Sequence, residues 1–352
     1  MALDYALKAM DSVTDANYER KDLSSVITAK DGPPRPFLRA IESVPAKGKT
    51  HYWNEVGLNA PGHGNATYAE GAKPGSQTNV PTQLSNVICR TGQVARVTDT
   101  ETAVWTGAGS YKLADGEMER LIQEAIDLDT ELKMEEQLNE MEWMLLNGDS
   151  TNTEAWAGGQ CDGVVKILTV NSLAAADITS TGGAGSAGSG FSVVKLNAGL
   201  FEGYVQTLAQ NIRLGYAPAV PDLLLASTPQ KAVINAFIGG GAGRPIVQVV
   251  TPDSAGYVAG QEVDEYQTGF FKVSVKIEPQ QELSALSGKA GPPTKTQMLM
   301  LSTKRFKRAD LIPLRSEPLA RIATSVERMI TAEYSLEYRN QKESGKITNL
   351  LN

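Results

Sequence analysis

The chain has 352 residues, a formal net charge of −7, 41% hydrophobic and 21% charged residues, and a pI near 5.1. This is the composition of an ordinary folded soluble protein, and its acidic balance excludes a dedicated nucleic-acid binder, which carries basic excess. No run approaches the ~18 apolar residues of a membrane span, and Met1 opens no basic-then-apolar signal peptide, so no membrane partner is expected and folding in a cytoplasm is the default.

Residues 1–32 scatter Leu3, Tyr5, Leu7 and Met10 among mixed charges before a Pro-rich stop from Gly32 to Pro36. A short amphipathic helix and then an extended arm, without compact packing, are predicted over residues 1–45. From Lys47 the pattern turns to strand. Lys49 to Val56 leads out, Asn86 to Val97 leads back, and Asn59 to Leu84 between them is rich in Gly, Pro and small polar residues. Residues 46–109 therefore read as a long β-hairpin and its return. A lone ribbon is at best marginally stable in water, so it must find support on another molecule.

The stretch from Ser110 to Asp149 reads as one long helix, running from Asp115 and ending at Asn147-Gly148. Met118, Leu121, Ile122, Ala125, Leu128 and Leu132 share one face, and Met134, Leu138, Met141 and Leu145 another. At about 100° per residue the two stripes point in nearly opposite directions. Between Asp115 and Asp149 stand 12 Asp/Glu against 2 Lys/Arg. Such charge speaks against a helix buried all round. A solvated strut gripped at each end by a different body fits better than that or a break near Lys133.

Residues 150–265 predict a mixed α/β body. It begins with a short strand at Val164–Leu168, followed by a helix over Leu196–Arg213, a buried strand at Asp222–Ala226 and a second helix opened by Ser227-Thr228-Pro229. In residues 266–352, alternation from Phe271 to Ile277 predicts a half-buried strand paired with Met298–Leu301. A protruding loop at residues 278–296 carries Lys289 and Lys295. The chain closes with strands at Glu327–Asn340 and Gly345–Asn349. From Leu301 onward ten Lys/Arg face six Asp/Glu, a segment able to pair with the acidic helix within one chain or between copies.

No constellation for catalysis emerges. Gly48-Lys49-Thr50 resembles the end of a phosphate loop, but Ser43 stands where its first Gly belongs. Gly239 to Gly243 follows a helix rather than a strand, and Ser186 and Ser189 lack the Gly of a nucleophile elbow. Cys89 and Cys161, neither clustered nor near a His, argue against a disulfide framework or zinc site. His51 and His63 read as surface histidines. The acidic groups at Glu135-Glu136 and at Asp127, Asp129 and Glu131 lack the turn Gly of a calcium loop. No metal or cofactor is expected.

The order of elements resembles the major capsid proteins of tailed phages, the Hong Kong 97 fold. Pro36-Phe37-Leu38, Thr50-His51-Tyr52-Trp53 with Leu58, Glu70-Gly71 and Leu84-Ser85-Asn86 look like the arm and extended loop of one large branch of this family. Glu333 to Asn340 with Gly345-Lys346-Ile347 looks like its last strand. The resemblance implies an α+β fold with an N-terminal arm, an extended loop, a spine helix at 110–149, an axial domain at 150–265 and a peripheral domain that includes 266–352. It implies a non-enzymatic shell subunit that forms hexamers and pentamers, located in the virion, enclosing double-stranded DNA without sequence-specific binding. Separate portal, decoration and scaffolding proteins are possible partners, the arm from Met1 being too short for a cleaved scaffolding domain. Interface candidates are Trp53, Glu55 and Glu70 on the hairpin, Lys289 and Lys295 in the protruding loop, and Arg305 and Arg308 in the basic segment. Two alternatives stay open: an encapsulin-type compartment shell, and an α/β enzyme using the Gly-rich loops around Gly183 and Gly240.

Overall fold

A computed structural model describes residues 33–57, 68–73, 79–98, 117–151, 159–174, 198–214, 220–238, 264–279, 296–321 and 324–350. Residues 1–32, most of the hairpin tip with His63, the Gly-rich loops around Gly183 and Gly240, and Lys289 and Lys295 lie outside them.

The described chain runs α1 (Pro36–Ala40), β1 (Glu42–Pro45), β2 (Thr50–Glu55), β3 (Thr82–Val87), β4 (Cys89–Thr98), α2 (Glu117–Asn147), α3 (Val164–Ile167), β5 (Ser172–Ala174), α4 (Ala198–Leu214) and β6 (Leu223–Ala226). It continues through α5 (Thr228–Ile238), β7 (Glu265–Gln267), β8 (Lys272–Ile277), β9 (Thr296–Leu301), β10 (Phe306–Pro318), β11 (Ser325–Tyr338) and β12 (Gly345–Leu350). The strands form a four-stranded sheet ordered β1-β10-β11-β4, a six-stranded sheet ordered β5-β12-β9-β6-β8-β7, and the two-stranded ribbon β2-β3.

The six-stranded sheet is covered on both faces, and its strands show why. In β6 every residue is buried. Leu224 and Ala226 join Met298, Met300, Val273 and Val275 against Val205, Leu208 and Ile212 of α4 and Ile234 of α5. Leu223 and Leu225 join Leu299 and Leu301 on the other face, toward the end of α2. A strand apolar on both faces belongs in mid-sheet. Consequently β6 lies between β8 and β9, and the direct pairing of Phe271–Ile277 with Met298–Leu301 expected from the sequence does not form. Strands from both sides of residue 265 share this sheet.

The return limb of the hairpin is also divided. Thr82 to Val87 pairs with β2, while Cys89 to Thr98 pairs with β11 in another sheet. The break falls at Ile88, where Ile88 and Cys89 are both buried and the in-out alternation is interrupted. Val164–Leu168, expected as a strand, instead makes a helical turn closed by the Leu168 N–H on the Val164 carbonyl, 3.0 Å.

Helix α2 has 31 residues, about 47 Å of rise. Its buried side is one continuous stripe, not two opposed ones: Ile122, Ile126, Thr130, Gln137, Met141 and Leu145 recur at steps of four and seven. Leu132 is 37% exposed and Leu128 half-buried. Thr130 and Gln137 occupy positions an apolar count passes over; Thr130 lodges its hydroxyl on the Ile126 carbonyl at 2.5 Å. Toward its N-terminal half the stripe packs on Ala95, Val97 and Ile330 of the four-stranded sheet. Toward the C-terminal end, Met141, Glu142, Met144, Leu145 and Leu146 are all buried, so here the helix is enclosed on most of its circumference, leaving the side of Glu140, Trp143 and Asn147 in part open.

The helix ends where Gly148 admits a crossing chain. A Cβ at Gly148 would stand 2.4 Å from the Cys161 carbonyl oxygen and 2.5 Å from that of Met144. Neither backbone oxygen can yield, so Gly148→Ala should cost about 3 kcal/mol or more in urea unfolding of the soluble subunit. Gly203, inside α4 with open space around its Cα, is the control. Gly203→Ala should be neutral or stabilising by up to about 1 kcal/mol; equal effects at the two sites would refute this packing.

Candidate functional site

Two contacts decide what the body holds and what it leaves uncovered. The first docks the arm. Glu142, fully buried on α2, accepts the Phe37 N–H through Oε1 at 2.8 Å and the Leu38 N–H through Oε2 at 2.6 Å. These are orphan donors of the first turn of α1, which no side chain of its own N-terminus caps. Beneath them Phe37 sits edge-on to Phe306, ring centroids 5.8 Å apart. Arg35 reaches Glu135 at 2.5 Å and Asn139 at 3.1 Å. Residues 33–45 are thus packed into the body, where the sequence had suggested a loose extended arm. Burial pushes the Glu142 carboxyl up, only partly offset by a hydrogen bond with the buried Glu278, the two N–H groups and the Arg35 charge.

The second contact anchors the ribbon at its inner end. His51 and Trp53 share one face of β2 and stack at 5.7 Å, and Trp53 stands edge-on to Tyr338 at 5.1 Å. His51 Nε2 lies 2.9 Å from Glu337 Oε2, and Arg339 grips the other carboxylate oxygen at 2.6 and 2.7 Å. Burial raises the Glu337 carboxyl, but hydrogen bonds from His51 and Arg339 and their charges outweigh it and hold the group below the usual range. Asn86 donates to the Leu336 and Asp162 carbonyls and accepts from the Asp162 N–H, while Ser335 donates to the Val87 carbonyl. His51 is accordingly a half-buried partner of Glu337, where its sequence setting suggested a surface histidine.

Period-two alternation then leaves the opposite face of the ribbon bare. Trp53 is 8% exposed, whereas Tyr52 beside it is 59% exposed, and Val87, on the same face as Tyr52, is exposed as well. Of the interface candidates, Trp53 therefore spends its area inside the chain. Glu55 lies half-buried at the outer end of β2, and Glu70 is exposed. Arg305 forks onto Glu343 at 2.5 and 3.0 Å, and Arg308 onto Asp310 at 2.7 and 2.8 Å.

The acidic helix finds its partners within the chain. Arg328 meets Asp127 at 2.8 Å, the Arg96 N–H donates to Asp129 at 3.0 Å, and Lys133 meets Glu136 at 2.8 Å. Past the helix end, Lys166 bridges Asp149 and Asp162 and holds the Asp149 carboxyl down to about 2, with the Thr151 hydroxyl and N–H assisting. Among the described residues no group of three or more His, Cys, Asp or Glu could hold a metal ion, and no helix is long and apolar enough to cross a membrane. A solvent-open hollow of about 510 Å³ at the ribbon base is lined by Pro45, Lys47, Gly48, Thr50, His51 and Tyr52, and His51 in it is engaged by Glu337. The residues that sequence reasoning missed, Glu142, Glu337, Asn86 and the Cys89–Cys161 contact, act across 70 to 290 positions of chain and leave no local signal.

No curated protein matches the sequence. Among solved structures, the chain is similar to the capsid of Myoviridae phage XM1, with a TM-score of 0.55 at 11% identity over 94% of this chain and 97% of that one. A protein of Mycobacterium phage Ogopogo gives 0.57 at 10% identity, covering 95% and 97% of the two chains. The encapsulin of the holo-SrpI complex from Synechococcus elongatus gives 0.50 at 11% identity, covering 96% and 94%. These likenesses establish the Hong Kong 97-like fold. The family model described as SU10 major capsid protein matches residues 10–351, and the chain belongs to that family.

Proposed function

We propose that this major capsid protein closes an icosahedral shell by joining hexamers and pentamers of itself around double-stranded DNA. The observation that carries the reading is the ribbon: one face is sealed onto its own body through Trp53, and the other presents Tyr52 and Val87, both exposed among the described residues. Exposed apolar residues aligned on one two-stranded sheet mark a protein contact. Rings of copies require heterologous interfaces, in which different patches meet, and a projecting ribbon laid on a neighbour's body is one.

In this reading residues 46–109 are the extended loop, 110–149 the spine, and the segments 150–265 and 266–352 supply the axial and peripheral domains. The loop at 278–296, with Lys289 and Lys295, meets other copies near threefold positions. Glu55 and Glu70 serve contacts between subunits, while Arg305 and Arg308 act within the chain. The net charge of −7 disfavours adhesion to packaged phosphates, so DNA is confined without being recognised. Separate portal, scaffolding and decoration proteins complete the particle, assembled in the host cytoplasm. The role is structural, with no reaction catalysed. An encapsulin shares the fold, and packaged DNA distinguishes the two: nuclease-protected DNA in purified particles supports the virion, and a protein cargo without DNA supports the compartment.

Purified protein, followed by sedimentation and negative-stain microscopy, should form capsomers, shells or tubes. A monomer that persists under every assembly condition would overturn the proposal. Two neighbouring substitutions separate folding from assembly. Trp53→Ala should lower subunit stability by about 3–5 kcal/mol. Tyr52→Ala should leave subunit stability within about 0.5 kcal/mol of the parent and reduce shell yield at equal concentration. If Tyr52→Ala assembled normally, the bare face would not be the contact.

A further inference from the structure

The two cysteines, remote in sequence, meet in the fold. Cys89 opens β4 and Cys161 lies in the loop after α2; both are free and buried among Tyr334, Met144 and Leu145. Their backbones are tied together on both sides of the pair. The Arg90 N–H donates to the Gly159 carbonyl at 3.2 Å, and the Asn86 amide both donates to and accepts from the Asp162 backbone at 3.0 and 2.9 Å. The Gly163 N–H donates to the Gly148 carbonyl at 2.9 Å, which holds the loop against the helix end. The Cys161 thiol hydrogen-bonds Cys89 and lowers the Cys89 thiol despite burial, while that same contact and burial push Cys161 well up.

We propose that Cys89 and Cys161 are a latent intrachain disulfide site, closed by a hydroperoxide, that staples β4 to the loop following the spine helix. The Cys89 thiolate attacks one peroxide oxygen, the O–O bond breaks, and Cys89 becomes a sulfenic acid as hydroxide takes up a proton and leaves as water. The Cys161 sulfur then attacks the Cys89 sulfur, forming the S–S bond and releasing the sulfenic oxygen as a second water with the Cys161 proton. Two thiols are oxidised and one peroxide is reduced, with no other reactant. Arg90 and Gly159, close to the pair on the two segments, are exposed, whereas the thiols themselves are 1% and 0% exposed, so the oxidant enters through a local opening of this edge. An S–S bond of about 2.05 Å asks the contacting sulfurs to close the remaining gap.

The test uses the full-length protein, treated with hydrogen peroxide, then denatured and alkylated with N-ethylmaleimide before non-reducing peptide mapping. The proposal expects the two free thiols to disappear together, a mass loss of about 2 Da per chain, and a linked peptide joining Cys89 to Cys161 that dithiothreitol separates. The oxidised protein should also melt at a higher temperature than the reduced one, a difference absent in Cys161→Ser. Full alkylation of both thiols, sulfinic or sulfonic acid on a single cysteine, or linkage only between chains would each overturn it.

Discussion

The last turns of the spine helix carry the heaviest constraint in this molecule, because three bodies converge there. Met141, Met144, Leu145 and Leu146 meet the four-stranded sheet through Ala332, Tyr334 and Leu336, the six-stranded sheet through Leu223, Leu299 and Leu301, and the arm through Phe37. A helix end buried on most of its circumference must still satisfy its polar neighbours. Glu142 does so at the point of greatest crowding, spending both carboxylate oxygens on the first N–H groups of the arm helix. The tight crossing at Gly148, where a Cβ would meet the Cys161 and Met144 carbonyl oxygens, belongs to the same crowded end.

That convergence explains how one chain can be rigid at its centre and unfinished at its margin. The ribbon needs support to persist, and its inner end obtains it from Tyr338, Glu337 and the backbone around Asp162. Beyond that anchor the face bearing Tyr52 and Val87 is exposed among the described residues. A ribbon held at one end and bare along one side is, in the proposed assembly, set in place before it meets a neighbour. Pre-ordering lowers the entropy lost on association, which suits a subunit that must make the same contact many times over.

Much of this was legible in the sequence because periodicity and stop signals are local. The spine helix, α4, α5, β8 and β11 stand within a few residues of where their apolar spacing and caps put them, and the order of elements carried the family resemblance. What failed was everything decided by a partner. The side on which α2 is buried was misjudged because Thr130 and Gln137 are core positions without being apolar. The ribbon's return limb was read as one strand because nothing before packing distinguishes Ile88 as the point where the chain changes sheets. Alternation marked β8 and β9 as strands, but it could not reveal that fully apolar β6 would lie between them. Ribbon composition alone suggests a hairpin without support in its own chain, whereas one face, with Trp53, is packed on Tyr338 and Glu337 of the same chain and only the other is bare.

The two clamps also differ in electrostatic character, and the difference follows from their partners. Glu337 faces His51 and Arg339, and its carboxyl is held low. Its stabilising contribution is therefore present above the ordinary carboxylate value and is lost as pH falls through the lowered folded one. Glu142 faces another carboxyl, Glu278, with the Arg35 charge as a weaker influence, and burial holds it high. Its contribution runs the other way: complete below the ordinary value, it diminishes as pH rises through the raised one. Acidification thus weakens the ribbon's anchor while relieving the charge buried beneath the arm. The part of the subunit that reaches toward neighbours is tied down by ionised groups at the protein's edge, and the part that belongs to its core is tied down by a carboxyl for which ionisation is costly.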